Sequence, residues 1–207
     1  MSPRVKPVLR ARRWKKGDMQ GITPEELEKM VKVSKGDYHS KRNEAMLLVG
    51  FSFGLRVREL LNLRVADVDL ANGQIHLARE KNGKTHDPAI SKAIQRTLRA
   101  YLKECRPGDY LFPGQWSGES KPMSRGYFHK WFSGTARAAG LPVAKQHPHA
   151  MRHGLGFTMS AAGHNPQTIA QALGHQTARM ALQFYGSVTD AVADQARKQT
   201  FAKYSWL

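Results

Sequence analysis

Pro148-His149-Ala150-Met151-Arg152-His153 is the stretch from which the rest of this chain is read. A proline just ahead of a helical pattern marks a helix start, so His149 and Arg152, three positions apart, share one face a turn from each other. A helix start also aims backbone N–H groups at whatever anion sits there. Working outward, Leu173-Gly174-His175 and then Tyr185 follow on one side. On the other side Arg56 stands in Gly54-Leu55-Arg56-Val57-Arg58-Glu59-Leu60. Arg56 also follows a Gly-Leu break at a helix start, and Glu59 is placed three residues on to pair with it or hold it. Two guanidiniums, two imidazoles, a nearby lysine and a phenol can support metal-free attack on a phosphodiester. The phenol is the nucleophile, the planar Arg forks hold the non-bridging oxygens at any working pH, and the remaining groups move protons.

The composition agrees with that chemistry. Among 207 residues, 33 Lys and Arg against 16 Asp and Glu give a net charge of +17. An excess of this size attracts a polyanion, and nucleic acid is the leading candidate for a folded protein. Apolar residues at 41% and charged residues at 24% fit a globular chain with one sizeable core. Cys105 is the one cysteine, which excludes an internal disulfide, suits a reducing cytoplasm and reads as structural. The longest apolar run, Ala45 to Phe51, is too short to cross a bilayer, and neither a signal peptide nor a membrane partner is expected.

Along the chain, residues 1–21 read as a basic arm. Arg4, Lys6, Arg10, Arg12, Arg13, Lys15 and Lys16 fall within its first 16 positions with no acid among them. Thr23-Pro24-Glu25-Glu26 gives an N-cap, a proline at N1 and acids in the first turn of a helix to about Val33. Further helices are expected from Ser40 to Phe51 and from Val57 to Leu63. Asn72-Gly73 and Asn82-Gly83 are hairpin turn signals, and the runs Asp67–Leu70, Gln74–Arg79 and Thr85–Ile90 make a three-stranded meander. Helical spacing returns at Ser91 to Glu104, and after a Gly-, Pro- and Ser-rich loop Ser124 caps a helix that Gly140 ends. Three short helices follow over 148–162, 166–173 and 177–185, then an amphipathic tail over 191–207. The fold class is α+β, mostly helical, with a small three-stranded antiparallel sheet. The domains are an arm at 1–21, a catalytic unit at 22–190 and the tail at 191–207.

Singly, each candidate has an ordinary reading. Arg56 could be a salt-bridging helix residue, His175 a structural histidine in a glycine turn, and Tyr185 a core aromatic. Lys81 and Lys84, flanking Asn82-Gly83, could be solvated lysines on a hairpin tip. Plentiful imidazoles (His147, His149, His153, His164, His175) raise a zinc site, but the chain has no His-Glu-x-x-His pattern and no cysteine pair. The joint pattern is what persuades.

On these residues the chain resembles the tyrosine recombinases, or phage-type integrases. Gly54 to Leu60 looks like the box around that family's first catalytic arginine, and Lys81-Asn82-Gly83-Lys84 like its β-hairpin lysine segment. His149-Ala150-Met151-Arg152-His153 matches its His-x-x-Arg box, and Leu173-Gly174-His175 with Tyr185 its third box and nucleophile. The resemblance spans about residues 22–190. It is closest to compact members such as fimbrial-switch invertases and small phage integrases, to the former through His147-Pro148-His149 and Gly154 to Phe157.

The resemblance implies that Arg56 and Arg152 bind the scissile phosphate and that Lys81 is the general acid for the 5′-hydroxyl. It further implies that His149 assists proton transfer with Tyr185, that His175 hydrogen-bonds the phosphate and that Tyr185 forms a 3′-phosphotyrosyl bond. Neither ATP, metal nor another cofactor is needed. Duplex DNA is the implied partner, bound by a homotetramer on paired sites that exchange strands through a Holliday junction, with room for an accessory DNA-bending protein. Integration, excision and inversion stay open. So do two alternatives: a type IB-like topoisomerase, and an accessory DNA-binding protein that does not cleave. Two departures stand out. His175 to Tyr185 is 185 − 175 = 10 positions, one longer than the family's usual spacing. In addition, the arm at 1–21 stands where most members have a helical domain, so it is expected to form a reduced clamp. The tail is expected to dock on a neighbouring protomer or on its own domain.

Overall fold

The computed structural model describes residues 20–78, 85–114, 121–175, 177–183 and 185. The basic arm, the hairpin tip with Lys81 and Lys84, and the C-terminal tail lie outside the described residues.

Seven helices organise these residues, and their starts follow local chemistry. Helix α1 (Pro24–Ser34) opens on a reciprocal capping box. The Glu26 N–H donates to Thr23 Oγ1 at 3.2 Å and the Thr23 N–H to Glu26 Oε2 at 2.8 Å. Lys145 Nζ closes on the same carboxylate at 2.7 Å, tying α1 to the turn Val143–Lys145. Helix α2 (Ser40–Ser52) buries Ala45, Met46, Leu47, Val49, Gly50 and Phe51 and packs against α1, α3 (Val57–Leu61), α4 (Lys92–Leu102) and α6 (His149–Ala161). A helix apolar on most sides belongs at the centre of a core, and α2 is there. Helix α3 (Val57–Leu61) is one short turn. Ser91 and Ser124 cap α4 (Lys92–Leu102) and α5 (Arg125–Ala138), and Asn165 caps α7 (Pro166–Leu173) with Pro166 at its first turn.

The expected meander is present as two short antiparallel ladders rather than one continuous sheet. Strand β1 (Val68–Asp69) pairs with β2 (Gln74–Ile75), and β3 (Leu77–Ala78) with β4 (Thr85–His86). His76 separates the ladders because its N–H turns back to Asp67, at 2.7 Å. The bridge Gln74↔Ala89 and the bond from the Ile75 N–H to the Pro88 carbonyl join the middle segment to the third run. The first turn is wider than a two-residue hairpin. The Asp69 carboxylate accepts from the Ala71 N–H, the Asn72 N–H and Asn72 Nδ2, which folds residues 70–73 over it.

The loop after α4 is anchored by Leu111 and Phe112, both fully buried, and by the Leu111 N–H bond to the Leu63 carbonyl. Most buried apolar residues form one cluster through α1, α2, α4 and α5. A second, smaller cluster holds Ile169, Ala170, Leu173, Ala181 and Tyr185, with Leu155, Phe157 and Met159 against it. No described helix is long and apolar enough to cross a membrane.

Candidate active site

The site forms where α2 ends, α3 begins and α7 ends against α6. Gly54 has a left-handed backbone, φ +54°, which releases the chain from α2 before Arg56. A methyl group at Gly54 would come within 2.6 Å of Leu173 Cδ2, so α7 packs directly on this turn. The buried carbonyl of that turn is used: Arg152 Nη1 donates to the Gly54 oxygen at 2.6 Å, from a side chain that is 5% exposed. A buried guanidinium is costly unless hydrogen-bonded, so this bond fixes where Arg152 can point.

Arg56 is held from two directions. Its Nη1 pairs with Glu59 Oε1 at 2.7 Å, and its own N–H donates to the other carboxylate oxygen at 2.8 Å. Its Nη2 reaches the carbonyl of Gly174 at 3.5 Å. Gly174 ends α7 in the left-handed conformation, φ 60° and ψ 42°, and the next N–H, of His175, returns to the Ala170 carbonyl at 2.8 Å. Arg56, Arg152, Gly54 and Gly174 are thus stitched into one knot, and half-buried His175 follows directly on it. A guanidinium carries five N–H donors, so the two bonds that hold Arg56 leave donors in its fork for a phosphate.

The helix starts themselves contribute less than the sequence suggested. At α6 the Ala150 and Met151 N–H groups already donate to the His147 and Pro148 carbonyls. At α3 the Arg56 N–H is taken by Glu59.

Tyr185 leans on α6 from the far side. It is 1% exposed, its ring edge-on to Phe157 with centroids 5.1 Å apart, and its carbonyl accepts from Ser160 Oγ at 2.9 Å. Its hydroxyl lies 3.3 Å from His153 Nδ1. Burial pushes the phenol up to about 12, and the nearby Arg152 charge opposes part of that rise. Burial also lowers His153, to about 4, and the neighbouring His149, His147 and Arg152 add to the effect. His149 is lowered by burial first, then by Arg152, His147, His129 and Arg56. Both imidazoles are therefore neutral at pH 7 and can accept a hydrogen bond.

Of the residues singled out in the sequence, Arg56, His149, Arg152, His175 and Tyr185 gather around α6 and the turn at Gly174, whereas Lys81 lies outside the described residues. The imidazole on the phenol is that of His153; the His149 ring is one turn back, its centroid 6.3 Å from that of His153. The backbone carbonyls that orient the two arginines carry no sequence signal. The glycines at 54 and 174 were the available hint.

Residues 20–191 match the phage integrase family. The chain belongs to that family. It is 32% identical over 177 residues to the type 1 fimbriae regulatory protein FimB of Escherichia coli K12, covering 80% of this chain and 87% of the relative. It is 30% identical over 170 residues to the tyrosine recombinase XerD of Pseudomonas putida, covering 79% of this chain and 55% of XerD. Its fold matches the crystal structure of XerA recombinase with a TM-score of 0.70 at 23% identity, over 87% of this chain and 64% of the other. The chain is a tyrosine site-specific recombinase, an enzyme that breaks and rejoins double-stranded DNA.

Proposed function

We propose that this recombinase opens each strand by in-line attack of the Tyr185 oxygen on a phosphorus clamped by Arg56 and Arg152. The new bond is a 3′-phosphotyrosine, and the bond that breaks is to the 5′-oxygen. The phenolic proton passes to the neutral imidazole of His149, while Lys81 supplies a proton to the departing 5′-oxygen. His175, directly after the Gly174 turn, hydrogen-bonds the phosphate. The phosphotyrosyl bond retains the ester energy, so a 5′-hydroxyl from another strand can reverse the step without ATP.

The observation that carries this reading is the knot of Arg56 and Arg152 on the Gly54 and Gly174 carbonyls, with Glu59 behind Arg56. Two preorganised guanidiniums are what a pentacoordinate phosphorane needs, because its non-bridging oxygens carry one more negative charge than those of the resting diester. In the resting chain the phenol is buried and hard to ionise, so attack requires the segment at 178–185 to move first. Of that segment's described residues only Ala181 and Tyr185 are buried, while Leu182 is 54% exposed, so few contacts oppose the movement.

In the assembly, four copies hold two DNA sites and pass through a Holliday junction. Residues 1–21 serve as a basic arm on the duplex, 22–190 as the catalytic unit and 191–207 as a contact between protomers. The resemblance to fimbrial-switch invertases favours inversion as the outcome. The test selects cleaved sites from a randomised, nicked duplex pool by covalent capture, then places two copies of the selected site on a plasmid. Inverted repeats should yield inverted plasmid; relaxed topoisomers alone would favour a topoisomerase, and no captured DNA at all a binding protein.

A further inference from the structure

The hydroxyl of Tyr185 rests on His153, a residue the proposed reaction does not require, and the ring fits only because position 156 has no side chain. A methyl group built on Gly156 would fall into the Tyr185 ring, within 2.6 Å of both Cε atoms. Phe157 stands edge-on at one side, and Ser160, one turn further along α6, holds the tyrosine's own carbonyl. A neutral imidazole, a missing Cβ, an aromatic wall and a serine at 153, 156, 157 and 160 make a slot on one face of a single helix.

We propose that His153 is a positioning residue that latches the nucleophile. Its neutral Nδ1 accepts the Tyr185 O–H, and the slot over Gly156 keeps the ring away from the phosphate site until DNA or a second protomer draws the 178–185 segment out. The latch holds the tautomer with the proton on Nε2, and no bond is made or broken in it. Attack on DNA bypasses His153 once the ring has left. The inference rests on Tyr185 being the nucleophile.

The test reads the latch without DNA. Full-length protein is treated with tetranitromethane at pH 8, and nitration is mapped by mass spectrometry. Tyr38, 96% exposed, is the internal reference. Nitration needs an accessible, ionisable phenol, so Tyr185 should react at least about tenfold more slowly than Tyr38. His153→Ala should raise the Tyr185 rate several-fold. His153→Asn, which keeps an acceptor near the Nδ1 position, should restore slow reaction, a rescue that general loosening of the core would not give. Gly156→Ala pushes from the other side: it favours the helix but leaves no space for the ring, so it too should expose Tyr185. Equal nitration of Tyr185 in wild type, His153→Ala and Gly156→Ala would overturn the latch. Covalent capture with the same proteins separates the two claims. If Tyr185→Phe still joins DNA, the nucleophile assignment fails while the nitration result stands. If nitration is flat but Tyr185 joins DNA, the latch alone fails.

Discussion

Arg152 and Arg56 owe their directions to backbone oxygens, at Gly54 and Gly174, and that dependence sets the expectations at single positions. Replacing Arg152 or Arg56 by alanine removes one preorganised transition-state donor and should raise the cleavage barrier by about 3 kcal/mol or more. Single-turnover cleavage of a nicked substrate measures it, and a loss under about tenfold would contradict the role. Glu59→Gln keeps the shape behind Arg56 but removes the charge that pairs with it at 2.7 Å. It should slow cleavage less than Arg56→Ala while leaving DNA affinity within about threefold, because the arginine stays but its aim loosens.

Helices that carry their own start signals were legible, and contacts between distant positions were not. Thr23, Ser91, Ser124 and Asn165 each cap a helix through bonds within three residues, so the sequence holds all the information. The meander was legible in its three runs but not in its division at His76. There the His76 N–H bonds to Asp67 and the Ile75 N–H to Pro88, carbonyls that lie 9 and 13 positions away (76 − 67 and 88 − 75). The site residues were legible as a set of types at spacings. That His153 rather than His149 meets Tyr185 was not, since it depends on how α6 is rotated against a segment 185 − 153 = 32 positions on. The turn at Gly174 is where element and site meet. Gly174→Ala forces a Cβ into a left-handed conformation at a cost of about 1–2 kcal/mol and shifts the carbonyl that Arg56 touches. It should lower the denaturant midpoint and, at saturating DNA, also slow cleavage. A drop in stability with unchanged cleavage would detach the turn from the site.

Over the whole molecule, charge and histidine burial govern behaviour. His153 is lowered to about 4, and His129, His147 and His149 are all lowered, each chiefly by burial. The unfolded chain therefore binds more protons than the folded one between about pH 4 and 6.5. Stability is complete above the unfolded histidine value and is lost as pH falls towards 4. Denaturant midpoints should be level from pH 7 to 8 and drop clearly by pH 5, and a flat profile would contradict burial of these imidazoles. The net charge of +17 on 207 residues predicts a phosphate-dominated interface. Affinity for duplex DNA should fall on the order of a thousandfold between 50 and 200 mM salt. A change of a few-fold would place the binding energy elsewhere. The account as a whole turns on one oxygen. Covalent complexes captured on nicked DNA, digested and mapped by mass spectrometry, should carry the nucleotide on Tyr185, and Tyr185→Phe should abolish them. A nucleotide on any other residue, or covalent complex persisting in Tyr185→Phe, would contradict it.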